Sequence, residues 1–225
     1  MHGEVNEIPP VVPIFPLPNV VLFPKLYLPL HIFEPRYREM VRDSLASSGI
    51  IAMVLLKSGW EENYYSNPEI YHVGCAGKIV RVNALPDGKY DIVLYGLEEV
   101  NFGRELLSKS YRQAEVERAR RSGHLREGSR RELQQTIRQY LTPRSKGQHP
   151  GWSHELLRLV EDAEMDDEQW VNIFSFSLDL SYLEKQSLLE AGSLDQRGEK
   201  LKEILEFNLA EQSFLKARDT RQSLH

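Results

Sequence analysis

The pattern of apolar and polar positions changes once along the chain. Up to about residue 119 the apolar residues alternate or come in short runs, the period of strands. Beyond it they recur every three or four residues, the period of helices. Residues 50–56 form an unbroken aliphatic run, which predicts a buried strand. Residues 71–85 and 90–97 predict two more, joined by Pro86-Asp87-Gly88-Lys89, where proline presets φ and glycine accepts a positive one. Residues 100–107 and 111–119 predict the next two strands, and Gly74, Gly77, Gly96 and Gly103 fit bulges and barrel corners. One helix interrupts this region. Residues 34–45 place Tyr37, Met40, Val41 and Leu45 at helical spacing, with Pro35 suited to the first turn and Gly49 just past the end.

In the second half, residues 131–141, 153–163 and 167–178 each carry one apolar face. Ser181-x-x-Glu184 and Ser193-x-x-Gln196 read as capping boxes opening two further helices. The first stops at Gly192 and the second runs through Leu201, Ile204, Leu205 and Leu209. The expected class is therefore α+β: a β-barrel domain over 10–119 with one inserted helix, a helical bundle over 120–213, and a polar tail over 214–225.

The N-terminal stretch qualifies this picture. Pro13-Ile14-Phe15-Pro16-Leu17-Pro18-Asn19-Val20-Val21-Leu22-Phe23-Pro24 is apolar enough to be core, yet a proline interrupts it every few residues. Proline lacks an N–H and fixes φ, so the stretch predicts short strands and tight corners instead of a helix. No run long enough to span a bilayer is free of proline and charge, and residues 1–7 have neither a basic nor an apolar leader region. With Cys75 the single cysteine, no intrachain disulfide forms and a reducing, cytoplasmic setting is expected.

Charge and motif chemistry narrow the function classes further. A net charge of −5 is not that of a domain built to coat nucleic acid. Gly77-Lys78 continues with Ile79, and His72 stands where a phosphate-binding loop needs its first glycine, so that motif fails twice. Cys75 and His72, three apart on a strand, face opposite ways, which removes a cysteine–histidine pair. The seven histidines are scattered, and the acidic run 161–168 lacks the spacing of a calcium loop; Asp166 or Asp167 suits a helix cap instead. No catalytic, cofactor-binding or metal-ligating residue is expected. Two groups remain as candidate contact residues. Trp60, Tyr64 and Tyr65 form an aromatic loop able to anchor a partner or to cover the barrel. Arg118, Arg120, Arg121, Arg126, Arg130 and Arg131 form a basic cluster, either a solvated connector or a phosphate-binding strip.

The stretch Pro16–Pro24, with Leu28-Pro29-Leu30-His31-Ile32-Phe33-Glu34-Pro35-Arg36-Tyr37 after it, resembles the N-terminal substrate-binding domain of the ATP-dependent protease Lon. Residues 73–82, 91–99 and 183–190 are similar to later segments of that domain, so the resemblance runs over about residues 10 to 210. It implies a PUA-like β pseudobarrel followed by a helical bundle, and a non-enzymatic module that recognises unfolded or degron-bearing proteins. It implies neither an ATPase nor a serine–lysine protease within this chain, and it names no catalytic residue. The prolines and aliphatics of the opening stretch then read as scaffold. Tyr37 and Met40 are expected to pack the helix on the barrel, and Glu34 to pair with Arg36. RNA binding through the arginine cluster stays as the alternative, resting on analogy between PUA-like folds. The oligomeric state and the client are left open.

Overall fold

The computed structural model describes residues 7–64, 66–119, 123–144 and 150–222. Six strands form one sheet: β1 (Val11–Leu17), β2 (Tyr27–Ile32), β3 (Ile50–Leu55), β4 (Val73–Ala84), β5 (Tyr90–Leu106) and β6 (Gln113–Arg118). Their order is β2-β5-β4-β3-β1-β6, and β5 also pairs with β6. That extra pairing closes β1, β3, β4, β5 and β6 into a barrel, with β2 added on the first half of β5.

The prolines fit this topology because of register. β1 changes partners midway, antiparallel to β6 at Val11–Pro13 and parallel to β3 from Ile14 on. Ile14 N–H donates to Arg112 O and Val116 N–H to Pro10 O, each at 2.9 Å. Val12–Ala114 is thus the bonded pair and Pro13–Gln113 a non-bonded one, so β6 asks nothing of the missing N–H at Pro13. Pro29 follows the same rule. Gly96 N–H donates to Leu26 O at 2.9 Å, which alternates to leave Pro29–Val93 non-bonded and turns the Pro29 nitrogen away from β5.

The first helix, α1 (Pro35–Leu45), buries Tyr37, Met40, Val41 and Ser44. Tyr37 meets Phe15 of β1 with ring centroids 4.3 Å apart. The helical spacing put Leu45 on this face, but Leu45 is exposed and Ser44 takes the inward place. Ser44 is small enough to sit there and satisfies its hydroxyl on Met40 O at 2.7 Å. Gly49 closes the helix at φ +69, its N–H bonded to Ser44 O.

Residues 90–97 and 100–107, which read as two strands, are one strand, β5, of 17 residues. A Cβ at Gly96 would lie 2.2 Å from Phe23 O, so the glycine admits the Leu22–Pro24 corner without ending the strand. Gly74 plays a similar part, where a Cβ would stand 2.2 Å from Met53 O. Inside the barrel, Val12, Ile14, Ala52, Val54, Ala76, Val100, Phe102 and Ala114 form one buried cluster.

The chain splits into two compact units, Met1–Arg121 with Asp179–Glu190, and Ser122–Leu178 with Ala191–His225. The second contains α2 (Ser129–Arg144), α3 (Pro150–Val160), α4 (Asp167–Ser177) and α6 (Leu194–Gln222), packed around Leu133, Ile137, Tyr140, Trp170, Phe174 and Leu201. Asp166 caps α4 by accepting from Gln169 N–H at 3.1 Å. The helix α5 (Tyr182–Leu189) belongs to the first unit, although it lies in the helical half of the sequence. Its capping box at Ser181 and Glu184 is complete. Its buried Gln186 donates to Val73 O at the start of β4, at 3.0 Å.

Candidate functional site

Pro35 pre-sets the first turn of α1, and the residues on either side of it are tied together. Arg36 Nε donates to Glu34 Oε2 at 3.1 Å, the local pair expected from the sequence. The Arg36 guanidinium lies 4.6 Å from the Tyr37 ring centroid and 5.0 Å from that of Tyr64. A guanidinium between two ring faces gains from both quadrupoles while keeping its hydrogen-bond donors at the edge. Tyr64 completes the set by donating its hydroxyl to Glu34 Oε1 at 2.6 Å. Burial, and then that bond to a carboxylate, raise the Tyr64 hydroxyl above its ordinary pKa.

Trp60 opens a short 3-10 turn, Trp60–Asn63, after Gly59 at φ +87. Its ring meets Tyr64 edge-on at 5.6 Å. The structure therefore brings Trp60 and Tyr64 together and anchors them to the start of α1. Tyr65, the third aromatic of this group, lies outside the described residues.

Beside this cluster a cavity of about 360 Å³ opens in the first unit. Its wall is assembled from four separate stretches of chain. Pro16 comes from β1, Arg36 and Tyr37 from α1, Ser66 and Asn67 from the aromatic loop, and Leu107, Lys109, Ser110, Tyr111 and Arg112 from the β5–β6 connection. Leu107 is 69% exposed, an apolar side chain held at the rim. Arg112 is buried and holds the loop in place. It donates twice to Glu105, at 2.7 and 2.6 Å, and once to Pro68 O at 2.8 Å. Lys109 Nζ and the Tyr111 hydroxyl both donate to Asp43 Oδ2, at 3.1 and 3.0 Å. Those bonds, from Lys109 first, hold the Asp43 carboxyl below its usual range. Burial, then the bond to Asp43, push the Tyr111 hydroxyl up to about 12. Among the described residues no cysteine or histidine lines this cavity, and no cluster of histidine, cysteine and carboxylate side chains is arranged to hold a metal.

The five residues from Leu107 to Arg112 that build half of the wall carried no signal in the sequence beyond strand-like alternation. An exposed leucine beside lysine, serine and tyrosine at a strand connection looks like any surface turn until the loop is seen opposite it.

The arginine cluster is distributed over both units. Arg118, in the first, pairs with Glu98 at 3.0 Å. In the second, Arg126 bonds Asp195 at 2.5 Å and also Glu199. Arg130 bonds Asp167 at 2.7 Å and two backbone carbonyls, with Trp170 against its guanidinium at 5.0 Å. Arg131 is exposed on α2, and Arg120 and Arg121 lie outside the described residues. Cys75 is buried in β4. No helix among the described residues is long and apolar enough to cross a membrane.

Comparison with known proteins agrees on one family. The family model described as the ATP-dependent protease La (LON) substrate-binding domain matches residues 11–206. The sequence is 35% identical to Lon protease 2 of Syntrophobacter fumaroxidans over 105 residues, 46% of this chain and 13% of that protein. It is 25% identical to the Lon protease of Flavobacterium johnsoniae over 198 residues, 88% of this chain and 24% of that protein. This chain thus spans a quarter or less of the length of these curated relatives. Among solved structures, the fold is similar to the N-terminal domain of the Mycobacterium avium complex Lon protease. The TM-score is 0.66 at 16% identity, covering 87% of this chain and 98% of that one. It is also similar to a Lon N-terminal domain protein from Xanthomonas campestris, with a TM-score of 0.60 at 22% identity over 85% and 96% of the two chains.

Proposed function

The chain belongs to the family of ATP-dependent protease La (LON) substrate-binding domains, and on that premise we propose that it is a non-enzymatic module that holds polypeptide segments of unfolded or degron-bearing proteins. The observation that carries this reading is the wall of the cavity. It combines apolar and aromatic surface from Pro16, Tyr37 and Leu107 with hydrogen-bonding groups from Ser66 and Asn67. A polypeptide segment presents that same mixture, apolar side chains on a polar backbone. Trp60 and Tyr64 extend the aromatic surface next to it, which suits anchoring of a partner side chain. For the nucleic-acid alternative, the candidate arginines Arg118, Arg126 and Arg130 are divided between the two units, each paired with a carboxylate, and none of them lines the cavity.

The test is fluorescence anisotropy with a labelled, permanently unfolded casein. A double variant carrying Trp60→Ala and Leu107→Ala is expected to bind about tenfold more weakly, the consequence of losing ~1.4 kcal/mol of anchor contact. Both side chains lie outside the barrel core, so the melting temperature should hold. Unchanged capture of the casein by the double variant overturns this placement of the site.

A further inference from the structure

Resting on the reading that this unit holds polypeptide, the geometry points to a more specific ligand for the cavity: a carboxylate carried by the bound segment. Among the described residues three cations line it, Arg36, Lys109 and Arg112, and no acidic side chain does. Their counter-charges Glu34, Asp43 and Glu105 all stand outside the lining. The lining therefore holds the cationic member of each ion pair. Glu39 is likewise outside the lining and accepts the Ser110 hydroxyl proton at 2.7 Å.

Donor counting sharpens the assignment. Arginine carries five N–H donors and lysine three, and neither carries an acceptor. Arg112 spends its fork on Glu105 and Pro68 O, so it contributes charge more than free donors. Arg36 meets Glu34 through one carboxylate oxygen and also bonds the Tyr64 hydroxyl, and Lys109 meets Asp43 through one bond. Against five and three donors, those bonds leave some over on both residues, and the exposed Asn67 amide adds two more. A surplus of donors with cationic backing selects an acceptor-only anion, and carboxylate is the one that polypeptides carry. Pro16, Tyr37 and the exposed Leu107 supply apolar surface beside it for the neighbouring side chain. A cavity of about 360 Å³ accommodates one or two residues of a chain and not a folded surface.

Two sources present this group, the α-carboxylate at a chain end and an aspartate or glutamate side chain. Anisotropy of the full chain with three versions of one short labelled apolar peptide separates them: a free C-terminus, an amidated C-terminus, and an amidated peptide with one internal aspartate. One or both carboxylate-bearing peptides should bind about tenfold more tightly than the plain amide. Lys109→Met should erase that difference at unchanged melting temperature. Equal binding of all three peptides overturns the carboxylate assignment while leaving polypeptide holding intact. Binding of none removes both. Displacement of the peptide by inorganic phosphate in preference to acetate also overturns it, in favour of a phosphoryl ligand.

Discussion

Replacing Arg112 with methionine tests whether the β5–β6 connection and the aromatic loop form one wall. The Arg112 side chain is 8% exposed and makes three hydrogen bonds, two to Glu105 and one to Pro68 O. Hydrogen bonds to a charged group contribute about 1.5–3 kcal/mol each. Glu105 is 31% exposed, so water recovers part of what its carboxylate loses and the lower end applies to both bonds. The buried Pro68 carbonyl, left without a donor, costs about 1 kcal/mol more, and the methionine returns some apolar contact. The expected loss is ~3 kcal/mol by urea denaturation of the full chain. Glu105→Leu alone strands the buried guanidinium and should cost about as much. The double variant removes both charges and should cost well below the sum, since a buried pair replaced by apolar residues loses little. A loss below ~1 kcal/mol for Arg112→Met, or strict additivity in the double variant, refutes the argument.

Two further outcomes follow from the same unit. Gly96→Ala and Gly74→Ala each drive a Cβ to 2.2 Å from a backbone oxygen and should cost ~3 kcal/mol or more. Gly103→Ala, whose nearest contact is 3.5 Å, should stay under ~1 kcal/mol in the same denaturation assay. Stability should also fall at high pH. Tyr111 titrates at about 12 in the fold, above its ordinary value of 10.0, and burial raises Tyr37 as well. Their contribution is complete below the unfolded pKa and is lost as pH rises through the folded one. Melting temperature measured from pH 9 to 12 should drop along that limb, and Tyr111→Phe should flatten it; an identical limb in the variant refutes the assignment.

The elements were legible where one local rule decided them. The aliphatic run of β3, the Asp166 cap and the Ser181 box all follow from a few neighbouring residues. Ser44 was missed as a core position because its fit depends on a bond back to Met40 O, which no hydropathy pattern carries. The 17 residues of β5 read as two strands because Gly96 and, past Leu97, the pair Glu98 and Glu99 look like a break. Only the corner at Phe23 explains why that glycine is there. The membership of α5 in the β unit was also hidden, since a capping box specifies a helix without specifying what it packs on. Trp60 and Tyr64 stood out as aromatics on a loop. The cavity did not, because its wall is drawn from stretches up to a hundred residues apart, each unremarkable alone.

The position of Pro29 has a consequence at the edge of the sheet. β2 pairs with β5 alone, so its other side is the exposed margin of the sheet. With Pro29–Val93 non-bonded, the proline nitrogen points to that margin, and the middle donor an incoming strand would need is missing. The proline thus guards the edge of the sheet against pairing with a neighbouring strand, as an edge position allows and a central one would not.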